Sequence, residues 1–337
     1  MQTLLNTLYI QTQGTYLNLD HETIKIQLEG QTRQHVPLHH ISGVCVFGNV
    51  SISPFLIHKC AREGKTITWL TETGRFQART EGPISGNVLL RQAQHLALSN
   101  PEQTHRIALQ FVLGKLQNSR AVLQRHKRDY PDSELEAPIQ SLQSSIRSLQ
   151  NCSHLDTLRG IEGNAGADYF SVFPVLIRNG QFHFTDRNKR PPRDATNALL
   201  SFIYALLTSD CSSAIQAVGM DPQLGYLHVL RPGRPALALD LMEEFRSWFA
   251  DRLALSLINR QQIQPQHFEE RPGGAVLLND TGRKEVLMAY QKRKQESLLH
   301  PLFKNPIPIG LIFHVQARLL ARHLRGDLDL YPPYRWK

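Results

Sequence analysis

A change of hydrophobic period part-way along the chain constrains the fold more than any other feature. Up to about residue 80 the apolar residues come in short runs. "NTLYI", "TYLNLD" and "TIKIQLE" place β-branched or aromatic residues in partial alternation between turn residues, which predicts strands. "GVCVFG" is a continuous apolar run, as expected of a more deeply buried strand. "SPFLIHKCAREG" has helical spacing and stops at Gly64, and "KTITWLT" and "GRFQART" flank "ETG" as a hairpin. "EGPISGN" at 81–87, with Pro83 and two glycines, then interrupts the pattern, and beyond it the period is helical. The chain is therefore expected to be α+β, with a small, mostly β domain over 1–80, a linker over 81–90, and a larger, mostly α-helical domain over 91–337.

In the second part, "RQAQHLALSNPEQTHRIALQFVLGKLQNSRAVLQRHKRD" reads as two helices broken at "SNPEQ". Ser99 or Asn100 caps the second, and Pro101 takes its first position. "DSELEAPIQSLQSSIRSLQN" and residues 155–170 are further helical segments. A basic loop over 178–193 follows, and then "DATNALLSFIYALLTSD", capped by Asp194 or Thr196. More helices are expected near 208–220, 240–260, 280–300 and 307–325, with a strand-like insert in "QQIQPQHFEERPGGAVLLND".

The 337 residues suit two or three domains, and the net charge of +9 favours an anionic partner such as a nucleic acid over a compact neutral one. Cys45, Cys60, Cys152 and Cys211 are scattered without a C-x-x-C pair, which points to a reduced, cytoplasmic setting and away from a cysteine-held zinc. "MQTLLNTLYIQTQG" lacks a basic n-region, and no segment reaches about eighteen uncharged apolar residues, so neither a signal peptide nor a membrane span is expected.

Three stretches hold candidate chemistry. "LDTLRGIEGNAGADYF" at 155–170, stepped at about 100° per residue, sets Leu155, Leu158, Glu162, Ala165 and Tyr169 on one stripe. Glu162 then faces packed surface, where a carboxylate needs a partner, a proton or a metal. Gly160, Gly163 and Gly166 should each cost a helix roughly 1 kcal/mol, so they suggest close approach of another backbone. A loop, or a Glu162–Arg159 pair, is the plainer alternative. In "ALALDLMEEFRSWFADRLAL" at 236–255, Asp240, Glu243, Glu244 and Ser247 share a wet face and Leu241, Phe245, Trp248 and Phe249 an apolar one. A cation would relieve the repulsion of Asp240 and Glu243, although acids in a first helical turn need none. "GYLH" carries His228 in a connection rich in turns, "LRPGRP", where a polar surface role is the plain alternative to a catalytic one. Together these acids and the imidazole make an O/N ligand set suited to Mg²⁺ or Mn²⁺.

"RGIEGNAGADYF", "NKRPPRDATNALLSFIYALL", "GYLH" and "LALDLMEEFR", in that order after a β-rich start, resemble the CRISPR-associated endonuclease that acts as the integrase of spacer acquisition. The resemblance spans essentially the whole chain. It implies a divalent ion held by Glu162, His228 and Glu243, with Asp240 as a nearby supporting acid. Ser247 stands where the family often has proline, a departure that leaves the ligands intact and bears only on the local end or bend of the helix. The resemblance also implies DNA as substrate and a homodimer formed largely through the β-domain. Two such dimers would flank a dimer of a small ferredoxin-like CRISPR-associated partner in a heterohexamer. The implied reaction is attack by a 3′-hydroxyl on a phosphodiester of a repeat array, with attack by water giving nuclease activity. A non-catalytic nucleic-acid scaffold is the alternative, and a small-phosphoester hydrolase is disfavoured by the basic charge. Candidate phosphate contacts are Arg187, Lys189, Arg190 and Arg193 in the basic loop, Lys292, Arg293 and Lys294, and the helix face of Arg318, Arg322 and Arg325. Tyr169 and Tyr204 are expected in the core, with base stacking as the alternative.

Overall fold

A computed structural model describes residues 6–74, 76–80, 82 and 88–336. The N-terminal part holds eight strands and one helix: β1 (Thr7–Ile10), β2 (Tyr16–Asp20), β3 (Thr23–Leu28), β4 (Gln31–Pro37), β5 (Gly43–Phe47), β6 (Ser51–Ile52), α1 (Pro54–Arg62), β7 (Thr66–Leu70) and β8 (Phe76–Arg79). They form two four-stranded sheets. One has the order β1-β5-β7-β8, parallel except for β8, and the other the order β4-β3-β2-β6. The predicted strands and the hairpin at "ETG" are present. β4 and β6 were not foreseen, because "QTRQHVP" is an exposed polar strand and "SI" is two residues long, so neither carries an apolar period. Ser53 caps α1 by accepting the Leu56 N–H at 3.3 Å, and Gly64 lies just beyond its end at φ +67°.

β5 explains its own composition. Val44 and Val46 join Leu17, Ile24, Leu56 and Ile67 in a core between the two sheets. Cys45 and Phe47, on the opposite face, belong to the core of the helical domain. A strand buried on both sides has no polar alternation.

The helical domain contains α2 (Val88–Ser99), α3 (Pro101–Asp129), α4 (Glu136–Ser148), α5 (Leu155–Ser171), α6 (Phe173–Leu176), α7 (Ala195–Ala217), α8 (Ala236–Met242), α9 (Arg252–Asn259), the hairpin β9 (Phe268–Arg271) and β10 (Ala275–Leu278), α10 (Asp280–Gln295), the hairpin β11 (Ser297–Leu299) and β12 (Pro306–Pro308), and α11 (Ile309–Leu324). The α+β reading holds. Of the expected linker, residues 81 and 83–87 lie outside the described residues, and Val88–Leu90 already belong to α2. Asn100 rather than Ser99 caps α3, and Asp194 rather than Thr196 caps α7. The helix expected near 208–220 is the second half of α7.

Among the described residues α7 is the one helix long and apolar enough to cross a membrane by length and composition, but it is the central helix of the domain, with 67% of its apolar window buried inside the protein. It packs against α8 and α11. Phe202 of α7 stacks on Phe47 of β5 with centroids 6.0 Å apart, joining the two domains. The turn before β8 passes so close that a Cβ on Gly74, at φ +88°, would lie 2.7 Å from the Phe202 ring. Phe202→Ala should therefore loosen the helical core where the β-domain packs on it, costing about 3–5 kcal/mol in denaturant unfolding.

Candidate active site

The connection from α7 to α8 is folded by Asp240. This carboxylate is 0% exposed and accepts the backbone N–H of Tyr226 at 2.6 Å, Leu227 at 3.0 Å and His228 at 3.0 Å, together with His228 Nδ1 at 2.7 Å. A carboxylate already met by three backbone donors accepts from the ring as well. Nδ1 therefore carries a proton toward Asp240, which fixes the ring and leaves Nε2 as the nitrogen turned away from that carboxylate. The glycine of "GYLH" makes this possible, since a Cβ at Gly225 would lie 2.6 Å from the carbonyl carbon of Ala236.

Glu243, at the end of α8, is 3% exposed. Its Oε1 accepts from Arg246 Nη1 at 2.7 Å, and its Oε2 lies 2.8 Å from Lys115 Nζ of α3. Lys115 also pairs with Glu162 of α5, whose side chain is 26% exposed. Burial alone would push the Glu243 carboxyl up, but Arg246, Lys115 and His228 together hold it well below the usual carboxylate range. Arg246 lies over the Tyr204 ring at 4.6 Å, and the Tyr204 hydroxyl donates to Asp251 at 2.5 Å. Burial pushes Asp251 up to about 6 against that hydrogen bond and the Arg246 charge. Tyr169 and Tyr204 are core residues, as expected.

Several expectations are corrected. The helix expected over 240–260 is interrupted: α8 ends at Met242, and a π-helical segment over Arg246–Asp251 precedes α9. Its acidic face is not wet, for Asp240, Glu243, Glu244 and Ser247 are all buried. Glu244 points away from Glu243 into a separate pocket, where it accepts from the Tyr331 hydroxyl at 2.5 Å, the Tyr334 N–H at 2.7 Å and Gln316 Nε2 at 3.0 Å. Burial pushes this carboxyl up to about 8. Glu162 lies on the edge of α5 rather than on its packed face, and its partner is Lys115 rather than Arg159, which pairs with Asp156. All three α5 glycines are helical, but a Cβ at Gly160, Gly163 or Gly166 would have nothing within 4 Å. The close approaches are instead at Gly225 and at Gly114, whose Cβ would lie 3.1 Å from Glu244 Cγ.

The basic residues divide. Arg187 is tied to Asn197 Oδ1 at 2.6 Å and Ser201 Oγ at 3.2 Å beneath Tyr204, so it buttresses the loop rather than facing outward. Lys294 is buried against Asp210 at 2.9 Å, because Tyr290 and Asp210 form a polar pocket there. Arg293 is committed to Glu296 at 2.6 Å, and Arg322 and Arg325 share Asp327 at 4.0 and 2.7 Å. Lys189, Arg190, Arg193, Lys292 and Arg318 are exposed and have no ion pair among the described residues. Partial burial and the nearby Arg246, Arg187 and Arg190 charges lower the Lys189 ammonium, with Glu243 opposing them.

Sequence reasoning missed Lys115 and Arg246. Lys115 lies in "VLGKLQ", where an amphipathic helix makes any lysine look like a solvated one. Arg246 stands at i+3 from Glu243, a spacing that could have flagged it. A second basic surface was missed as well. Arg252 and Arg125 lie over the Trp336 ring at 4.5 and 5.5 Å, and burial followed by the Arg293 and Arg125 charges lowers the Arg252 guanidinium to about 10.

A divalent ion fits the donor chemistry in part. Two carboxylates and an imidazole whose Nε2 faces away from Asp240 suit Mg²⁺ or Mn²⁺, and the Asp240–His228 bond is the kind of supporting contact that such ligands keep. Glu243 Oε2 is a buried oxygen without an aligned hydrogen bond. Among the described residues, however, no three His, Cys, Asp or Glu side chains converge closely enough to hold an ion as they stand, and the Lys115 ammonium lies between Glu162 and Glu243.

A family model described as CRISPR associated protein Cas1 matches residues 8–292. CRISPR-associated endonuclease Cas1 1 of Moorella thermoacetica is 51% identical, with 100% of both chains covered. Among solved structures, a CAS1 protein from Thermotoga maritima superposes with a TM-score of 0.83 at 26% identity, covering 95% of this chain and 97% of that one. A casposase bound to integration product shares the fold, with a TM-score of 0.86 at 20% identity, covering 98% and 94%.

Two outcomes follow from the packing. Gly225→Ala should force the 226–228 turn off α8, lowering stability by about 1–3 kcal/mol in thermal melts and removing the hydrogen-bonded His228 Nδ1–H signal from proton NMR spectra. Because Glu244 binds its proton more tightly folded than unfolded, its contribution to stability falls as pH rises from its unfolded value near 4.5 to about 8 and is flat above. Urea midpoints should show Glu244→Gln gaining on wild type by up to about 1.4 kcal/mol per pH unit across that window.

Proposed function

The chain belongs to the CRISPR-associated Cas1 family, and on that premise we propose that it is a divalent-metal-dependent DNA endonuclease and integrase that inserts short DNA fragments into a CRISPR repeat array. The observation that carries the site assignment is the His228 ring, fixed through Nδ1 by the buried Asp240 so that Nε2 is the nitrogen left to meet an ion, within electrostatic reach of Glu243. Glu162, His228 and Glu243 would hold Mg²⁺ or Mn²⁺. Bound there, the ion would supply Lewis-acid stabilisation of charge on the phosphodiester under attack by a 3′-hydroxyl, or by water in the nuclease reaction. Asp240 keeps the imidazole in one tautomer and one orientation. Arg246 keeps Glu243 ionised despite its burial, and its stacking on Tyr204 holds the guanidinium in place.

Lys189, Arg190 and Arg193 would meet the DNA backbone close to the site, since Lys189 lies within electrostatic reach of Glu243, and Lys292 and Arg318 would meet it farther out. Arg187, Arg293, Lys294, Arg322 and Arg325 are not proposed as primary contacts. Homodimerisation through the β-domain is supported by Phe55, Phe76 and Tyr16, which are large apolar groups exposed on that domain. The reading also includes the small ferredoxin-like partner in a heterohexamer and work in the cytoplasm, where a repeat array would lie.

Strand transfer of a short duplex into a repeat-bearing plasmid, with Mn²⁺ and the partner, tests the proposal. Glu162→Ala and His228→Ala should abolish both transfer and metal-dependent cleavage while the protein stays folded. Asp240→Asn should reduce both by about 10–100-fold, and EDTA should stop wild-type turnover. Wild-type rates in Glu162→Ala would show the site to be elsewhere, and DNA binding without turnover would mark a scaffold.

A further inference from the structure

We propose that Lys115 is a built-in counter-cation that competes with the divalent ion for Glu162 and Glu243, so that metal entry requires its ammonium to leave them. The proposal rests on the metal-site reading above and adds a residue that holds the acids together rather than one that ligates the ion. Lys115 Nζ touches both carboxylates, 2.8 Å from Glu243 Oε2 and in contact with Glu162 Oε1, on a side chain only 12% exposed. Glu243 has a second cation in Arg246, at 2.7 Å on its other oxygen. Glu162 has no other ion partner among the described residues. Removing Lys115 would therefore leave Glu243 neutralised and Glu162 unpaired, so the lysine is what draws the α5 acid toward the α8 acid.

The backbone under Lys115 is fixed. Gly114 packs on Glu244 and Pro333, and the amide of Asn118 donates to the Glu244 carbonyl at 2.7 Å and the Tyr334 carbonyl at 2.9 Å. From that fixed point a four-carbon stem can swing its ammonium without moving the helix. An ammonium between two carboxylates occupies the space that a hard divalent ion with oxygen ligands requires, and the two cannot share it. Once displaced, the ammonium needs another anion, and a DNA phosphate oxygen beside the site is the chemistry it matches. Metal and DNA then favour each other's binding, because each relieves a cost that the other creates.

Calorimetric titration of Mn²⁺ into the full-length wild type, Lys115→Met and Lys115→Arg at fixed ionic strength tests this, with melts of each in EDTA and in Mn²⁺. Lys115→Met should bind Mn²⁺ on the order of tenfold more tightly than wild type. It should also melt lower in EDTA and recover with Mn²⁺, whereas Lys115→Arg stays near wild type in affinity. A short DNA duplex should raise the wild-type Mn²⁺ affinity more than that of Lys115→Met. Equal or weaker Mn²⁺ binding by Lys115→Met overturns the competition, and equal gains with DNA overturn the hand-over to phosphate. A wild type that binds no Mn²⁺ overturns the underlying metal site instead. If Lys115→Met fails to fold, Lys115→Gln carries the same comparison.

Discussion

Three acids within five residues of α8 and the turn after it are buried, and each must be satisfied separately. Taking a carboxylate out of water is tolerated only where donors or opposite charge replace the lost hydration. Asp240 gathers the backbone of 226–228, Glu243 gathers α3 and Arg246, and Glu244 gathers the C-terminal segment through Tyr331 and Tyr334. The helical domain is arranged around these demands. A loop, a long helix and the chain's last described residues converge on one short helix because each supplies what one acid lacks.

α3 is the rigid member of this arrangement. Its 29 residues bring Gly114, Lys115 and Asn118 to the same region. The glycine leaves room for Glu244, the lysine reaches Glu243 and Glu162, and the asparagine closes three hydrogen bonds, the third accepting from the Trp336 N–H at 2.8 Å. One face thus holds both sides of the Glu243–Glu244 pair. This explains how adjacent acids can have opposite titration behaviour, Glu243 kept ionised by cations and Glu244 raised by burial with only neutral donors around it.

The parts of the fold legible in the sequence are those whose burial is one-sided or complete along an element. The apolar run of β5 announced a strand with two buried faces, and Asn100-Pro101 announced the start of α3. Edge strand β4 was not legible, because its pairing is backbone hydrogen bonding under polar side chains. In the site, the motifs drew attention to Glu162, His228, Asp240 and Glu243, but the local reading of α8 as half wet failed. An i, i+3 acidic face looks solvated when its partners are distant in sequence, and Lys115 lies 128 positions before Glu243. The glycine argument failed for a related reason. Spacing within α5 identified small residues, whereas close approach is a property of two elements, and the backbones that meet are those of Gly225 and Ala236.

The interruption of the helix after Met242 has its cause in these same contacts. The carbonyl of Glu244 accepts from the Trp248 indole at 2.8 Å and from the Asn118 amide at 2.7 Å, so side chains as well as backbone compete for it. The backbone widens to i→i+5 bonding at Phe245, whose carbonyl takes the Ala250 N–H at 3.3 Å. No proline stands between Met242 and Asn259 to deny the helix an N–H. Here the bend exists without it, which makes the bend a product of the buried polar network rather than of proline. A continuous α-helix would turn Glu243 and Glu244 by only about 100° from one another. The wider turn that follows them lets Arg246 fold back to Glu243 while Phe245 and Trp248 seal the opposite side with Phe313 and Tyr334. Glu243 thus meets cations on one side while Glu244 holds the segment of Tyr331 and Tyr334 on the other.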